Sequence, residues 1–212
     1  MNFTVEEKTR IFSIINENFW WCSRETIDDE GFYSAFEKRV DSEKFFVDNG
    51  AVKYCIFSSL FEDYVVKFCP ERFDYCEREY TNYLAAVEHK LEAFFPCTDF
   101  LGEINGMNFY LQEKAYCDPE SVSDILYENL REDWECDEET SECQIAEEIF
   151  CAIDDLEDDE CVQMLYNTEE LLEFLCDYCI NDLHPGNFGY IDDRLVIIDF
   201  SGYGYRATER SF

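Results

Sequence analysis

Apolar positions near the start of the chain recur with the period of a helix and later change to the period of a strand. Thr4 followed three residues later by Glu7 is a capping box, and Phe3, Ile11, Ile14, Ile15, Phe19 and Trp20 follow at helical spacing. A first amphipathic helix is therefore predicted there, with Trp20 and Trp21 read as core or packing residues, and a second short helix over 32–40. From Phe45 the alternation shortens, and 44–47, 53–57 and 64–68 predict three strands. Turns fall at Asn49-Gly50, where glycine tolerates positive φ, and at 58–63. Pro70 stops the third strand, and 73–93 returns to the helical period with Tyr80, Tyr83, Leu84 and Val87 on one side. Two more strands, 101–104 and 107–113, turn at Asn105-Gly106.

The next stretch differs in charge. Residues 117–177 hold 23 acids and one base, Arg131, yet Val122, Ile125, Leu126 and Leu130, then Ile145, Ile149, Ile153 and Leu156, keep helical intervals. Two or three amphipathic helices are predicted, separated by an acidic loop near 135–142; the acids form a solvated surface or a docking face for a basic partner. A last helix over 169–179 opens at Thr168, and strands over 188–191 and 194–200 pair through the Asp192-Asp193 turn.

Composition narrows the classes. A chain of 212 residues with 47% hydrophobic and 17% aromatic residues can bury a core as one domain or two small lobes. The net charge of −34 argues against binding nucleic-acid backbone or an anionic membrane surface. No apolar run reaches the length of a membrane span, and the first residues lack the pattern of a secretory signal. Twelve cysteines without such a signal suit a reducing cytoplasm, where they serve as small buried hydrophobes. Cys176 and Cys179 form a single C-x-x-C without the second close pair a zinc site wants.

Candidate chemistry is concentrated in 180–202, I-N-D-L-H-P-G-N-F-G-Y-I-D-D-R-L-V-I-I-D-F-S-G. The hairpin predicted within it brings the loop carrying Asp182 and Asn187 beside Asp199 at the end of the second strand. Phosphoryl transfer from a nucleotide needs such a set: one carboxylate to orient the attacking hydroxyl, an amide and a second carboxylate to hold Mg²⁺. Far upstream, Lys67 lies near the end of the apolar run Y-V-V-K-F. A lysine in a half-buried strand needs an anion, either a phosphate or a carboxylate.

These residues resemble the catalytic core of the protein-kinase-like superfamily. D-L-H-P-G-N is similar to the D-x-H-P-x-N loop of aminoglycoside and choline kinases and of small phage or bacterial Ser/Thr kinase-like proteins. The resemblance covers 45–202 and implies an α+β, two-lobed fold: an N-terminal antiparallel sheet plus helix, then a reduced, mainly helical C-lobe. Expected domains are a helical extension (1–44), the N-lobe (45–116) and the acidic C-lobe with the catalytic hairpin (117–212).

It further implies ATP and Mg²⁺ as cofactors. Lys67 would bind the α- and β-phosphates and pair with Glu79, or with Glu77 as the alternative. Gly50 would lie in the turn over the phosphates, Gln112 would be the gatekeeper, and Glu113 and Ala115 would offer hinge backbone groups to adenine. Asp182 matches the catalytic aspartate, Asn187 and Asp199 the metal ligands, and His184 a structural hydrogen-bonding residue. The implied function is transfer of the γ-phosphate to a hydroxyl of a protein Ser/Thr or a small molecule.

Departures are visible. Ile180-Asn181 replaces His-Arg or His-Gly, D-F-S-G replaces D-F-G, and Gly50 alone represents G-x-G-x-x-G. Ten residues follow Gly202 where a protein kinase continues into its activation segment and substrate helices. They define the alternative reading, a pseudokinase acting as an acidic binding module for a basic protein.

Overall fold

The capping box at Thr4 starts α1, Val5–Phe19. The Thr4 hydroxyl accepts the Glu7 N–H at 3.2 Å, and the Glu7 carboxylate accepts the Thr4 N–H at 2.9 Å. In this computed structural model the described residues are 3–23, 29–49, 53–70, 74–117, 168–180, 185–192 and 194–202. The chain divides into two units, Met1–Leu84 with Cys97–Lys114, and Ala85–Pro96 with Ala115–Phe212.

In the first unit, Ile11, Ile15 and Phe19 of α1 are fully buried, and α2, Asp29–Arg39, sends Phe32 and Phe36 into the same core. Of the paired tryptophans, Trp21 packs there, with its ring 6.1 Å from Phe19 and 5.5 Å from Phe32. Trp20 does not: it is 58% exposed beneath the Arg39 guanidinium. The chain leaves the helix after Phe19, and that turn decides which indole faces inward.

Five antiparallel strands, β1 (Phe45–Asn49), β2 (Tyr54–Ser58), β3 (Tyr64–Phe68), β4 (Thr98–Ile104) and β5 (Met107–Glu113), form one sheet in the order β1-β2-β3-β5-β4. Register pairs Ile56 with Val66, Val66 with Leu111, and Phe68 with both Tyr54 and Phe109. These residues share the face that closes on α1 and α2. The opposite face carries Cys55, Lys67 and Tyr110, aligned across three strands. Gly50 and the rest of the β1–β2 turn lie outside the described residues.

Helix α3, Tyr75–His89, covers that second face. Its buried positions are Cys76, Glu79, Asn82, Tyr83 and Ala86, whereas Leu84 and Val87 are 45% and 44% exposed. The predicted apolar side is thus rotated: Tyr83 keeps its place, and Glu79 takes a buried one. The helix also ends four residues early. Lys90 adopts φ 62° and the Leu91 N–H bonds the Ala86 carbonyl at 2.8 Å, a Schellman closure without the usual glycine. The division between the two units falls inside α3, between Leu84 and Ala85.

In the second unit a 3-10 turn, Glu92–Phe94, follows α3. Helix α4, Thr168–Asp177, buries Leu171, Phe174 and Leu175, and a hairpin pairs β6, Phe188–Ile191, with β7, Arg194–Ile197. Strand β7 stops at Ile197, before the predicted end at Phe200. The acidic helices predicted between 118 and 167 lie outside the described residues, as do Asp182 and His184. Buried Cys22, Cys69, Cys76 and Cys97 pack as small hydrophobes, and burial pushes the Cys22 thiol up to about 12. No described helix is long and apolar enough to cross a membrane.

Two outcomes are expected. Lys90 is exposed and left-handed, so Lys90→Gly should stabilise the chain by about 1 kcal/mol in chemical denaturation. Hydrogen bonds from Thr4, then Tyr64, hold the Glu7 carboxyl below its ordinary 4.5. Its contribution to stability is therefore complete above pH 4.5 and fades as pH falls through the lowered value. Thr4→Ala should return the Glu7 carboxyl toward 4.5 in an NMR titration.

Candidate functional site

Strand β3 is apolar because both faces of the sheet are covered, and Lys67 is its only charge. With 8% of its side chain exposed, Lys67 donates to both oxygens of Glu79, at 3.2 Å to Oε1 and 3.1 Å to Oε2. Glu79 is 1% exposed. Helix α3 aims this carboxylate because Tyr80 packs on Tyr110, at 5.8 Å between rings, and Cys76 joins the same cluster. Tyr110 is also the cross-strand partner of Lys67. Glu77, the alternative partner, is exposed.

A second ammonium, which the sequence reading did not single out, joins the pair. Lys53, just before β2, reaches Glu79 Oε1 at 3.2 Å with 8% of its side chain exposed. Because Cys55 lies opposite Lys67, Lys53 two residues earlier falls on the same face of the sheet. Its sequence signal was a lysine opening an alternating strand, at the expected phosphate-covering turn. Electrostatics reports the crowding: burial, then the Glu79 carboxylate, raises the Cys76 thiol, while Lys53 and Lys67 oppose the shift.

Gln112 is buried at the end of β5 and donates to the Thr98 hydroxyl at 3.0 Å. The Glu113 N–H donates to the Cys97 carbonyl at 2.9 Å, and its carboxylate accepts the Cys97 N–H at 3.1 Å. Ala115 belongs to the second unit, where its neighbour Tyr116 bridges Tyr190 through two backbone hydrogen bonds.

Asn187 and Asp199 are brought together by the hairpin. Phe188 pairs with Ile197, and the ladder continues as the Ile198 N–H donates to the Asn187 carbonyl at 2.8 Å. Asp199 is therefore one residue beyond the position opposite Asn187. Asp192 turns the hairpin at φ 54°, a conformation aspartate tolerates. Below, Phe200 is fully buried with its ring 4.9 Å from Phe95, and Phe95 meets Phe174 of α4. Arg194 donates to the carbonyls of Ala93 at 2.6 Å and Glu92 at 3.3 Å, tying β7 to the 3-10 turn.

The serine inserted in D-F-S-G has a local use. Its hydroxyl donates to Asp199 Oδ1 at 3.1 Å, which orients the carboxylate. Gly202 adopts φ 68°, and a side chain there would run into the Cys179 carbonyl. Asn187 and Asp199 supply hard oxygen donors of the kind Mg²⁺ takes alongside phosphate oxygens, so the donor set fits that ion. Among the described residues, no three His, Cys, Asp or Glu side chains gather as a metal cage.

Removing the shared carboxylate tests the lysine cluster. Glu79→Ala should cost about 3–5 kcal/mol in chemical denaturation, because it strips a buried ion pair of one partner.

No family model matches the sequence, and no curated protein matches it. Solved structures do. A streptomycin–ATP ternary complex of APH(2")-IIa matches at 19% identity and a TM-score of 0.35, covering 82% of this chain and 70% of the other. An aminoglycoside phosphotransferase from Alicyclobacillus acidocaldarius subsp. acidocaldarius DSM 446 matches at 14% identity and a TM-score of 0.33, covering 76% of this chain and 63% of the other. Similarity of this size leaves the fold to be judged from the chain's own topology: an antiparallel sheet with helices, α+β.

Proposed function

We propose that the chain is an ATP- and Mg²⁺-dependent phosphotransferase of two-lobed, protein-kinase-like fold that moves the γ-phosphoryl group to a hydroxyl acceptor. The observation that carries the reading is the buried pair between a strand lysine and a helix glutamate, Lys67 and Glu79. Such a pair holds an ammonium rigidly, in a place where water does not screen it. The D-L-H-P-G-N and D-F-S-G motifs supply the remaining groups.

Each residue has one task in this reading. Lys67 binds the α- and β-phosphates, and Glu79 orients its ammonium. The turn containing Gly50 covers the phosphates, while backbone groups of Glu113 and Ala115 hold the adenine. Asp182 accepts a hydrogen bond from the acceptor hydroxyl and points its oxygen at the γ-phosphorus. Asn187 and Asp199 would hold Mg²⁺, with Ser201 fixing the carboxylate. When bound, the ion offsets the negative charge on the phosphate oxygens. The D-L-H-P-G-N loop favours a small-molecule hydroxyl over a protein Ser/Thr as acceptor.

Assay of phosphate transfer from ATP should show Asp182→Asn and Asp199→Asn each losing at least about 100-fold. Equal transfer by wild type and both variants would rule out the mechanism. The same chain should also gain thermal stability with ATP and Mg²⁺ over ATP with a chelator, since a ligand of the native state stabilises it by its affinity. A missing shift at millimolar nucleotide would favour the pseudokinase alternative, with the acidic residues binding a basic protein.

A further inference from the structure

The two edges of the five-stranded sheet are finished differently. Along β4 the register shifts between Phe100 and Gly102, and α1 is tied to the strand by Lys8 and Asp99 at 2.6 Å. A bulge and a covering element are common ways of closing an edge to further strands. Strand β1 has neither. It pairs with β2 in unbroken register from Phe45–Ser58 to Asn49–Tyr54, and no described strand lies on its outer side. The Ser59 N–H donates to the Lys44 carbonyl at 3.2 Å, so Lys44 and Ser59 form a hydrogen-bonded pair. Alternation along the ladder then turns the backbone groups of Phe46 and Asp48 toward β2 and those of Val47 outward. Among the described residues, those of Val47 meet no partner.

The start of this edge opens into a cavity of about 390 Å³, lined in part by Glu43, Phe46, Phe57, Ser59, Glu62 and Lys114. Phe46 is 63% exposed, with its ring 6.0 Å from that of Phe57. An open strand edge with an exposed ring beside it is a template for one more strand. The lining also carries charge. The Lys114 ammonium lies 5.9 Å from the centre of the Phe57 ring, so one ring face already holds a cation. Lys44 is taken by Asp41 at 3.0 Å. The Glu43 and Glu62 carboxylates have no partner among the described residues, which leaves two acids against one ammonium. Asp48, exposed and two residues from Phe46 on the same face of β1, continues the negative line.

Charge selects the occupant. The chain carries −34, so a second copy would bring the same sign to this edge, whereas a basic segment is drawn to it. Cross-strand neighbours share a face of the sheet. A strand with bases at alternate positions therefore places one beside Phe46 and the next beside Asp48.

We propose that β1 is a docking edge for an extended, basic segment of a partner protein, which adds a sixth strand to the sheet and seats a lysine or arginine in the cavity beside Phe46. Main-chain bonds to Val47 hold the segment, and the carboxylates of Glu43, Glu62 and Asp48 select its basic sequence. None of these groups has a part in phosphoryl transfer, so the edge would serve an active enzyme and a pseudokinase alike.

The test is fluorescence anisotropy of a short labelled peptide that alternates arginine with valine, titrated with the full chain. Wild type should bind it, less tightly as salt rises, and should not bind the same peptide with glutamate for arginine. N-methylation of one alternating set of peptide amides should abolish binding and of the other should not, because only one set faces β1. Phe46→Ala, and Glu43→Gln combined with Glu62→Gln, should each weaken binding at least about threefold, the scale of a cation–π contact or an exposed ion pair. All three positions are exposed, so thermal melts of these variants should match wild type. No binding to wild type at millimolar peptide, or equal binding of the glutamate peptide, would overturn the proposal. Indifference to the variants, or no difference between the two methylated sets, would do the same. So would a dimer of the chain in sedimentation that Phe46→Ala dissolves, since the edge would then belong to a second copy.

Discussion

A carboxylate 1% exposed, gripped by two ammonium groups, sets a directional constraint on the first unit. Burying these charges is tolerated only when the partners meet at hydrogen-bonding distance, because the interior does not repay desolvation otherwise. That requirement links three separate pieces of chain. Strand β3 must present Lys67 to the face opposite α1 and α2, β2 must be in register to bring Lys53 alongside, and α3 must turn Glu79 inward. The aromatic contact of Tyr80 with Tyr110 and the ion cluster agree on one rotation of the helix. Leu84 and Val87 are left facing water as the consequence.

The second unit solves a different problem, holding polar groups at the ends of short elements. Its helix α4 closes like α3, with a left-handed residue, Cys179 at φ 54°, and the Ile180 N–H on the Leu175 carbonyl at 2.8 Å. Ile180 and Leu175 are both buried, so the closure doubles as core. Phe200 anchors the segment after β7 against Phe95, and Gly202 passes over the Cys179 carbonyl where a side chain would not fit. Asp199 lies between buried Ile197 and buried Phe200, with Ser201 on its carboxylate. The backbone around the carboxylate is therefore determined by burial on both sides of it.

Most element positions could be read from the chain. The capping box, the alternation in β1, β2 and β3, the Asn105-Gly106 turn and the Asp192 hairpin are local signals, carried by residues a few positions apart. The ends of α3 and α4 were less legible because Lys90 and Cys179, not glycines, adopt the left-handed conformation. The choice between Trp20 and Trp21 was illegible for a similar reason: neighbouring residues point in different directions, and the turn after Phe19 sets which one meets Phe32.

For the candidate site, the sequence by itself determined that Lys67 lies in an apolar strand, that Glu79 follows on a helix, and that Asn187 and Asp199 flank a hairpin. Those are statements about spacing, and spacing is written in the order of residues. Tertiary structure alone decided that Glu79 and not the exposed Glu77 turns inward, and that Lys53 shares its carboxylate. Both depend on strand register and helix rotation. These are settled by contacts between segments remote in the chain, where burying a charge is tolerated only if its partner arrives from elsewhere.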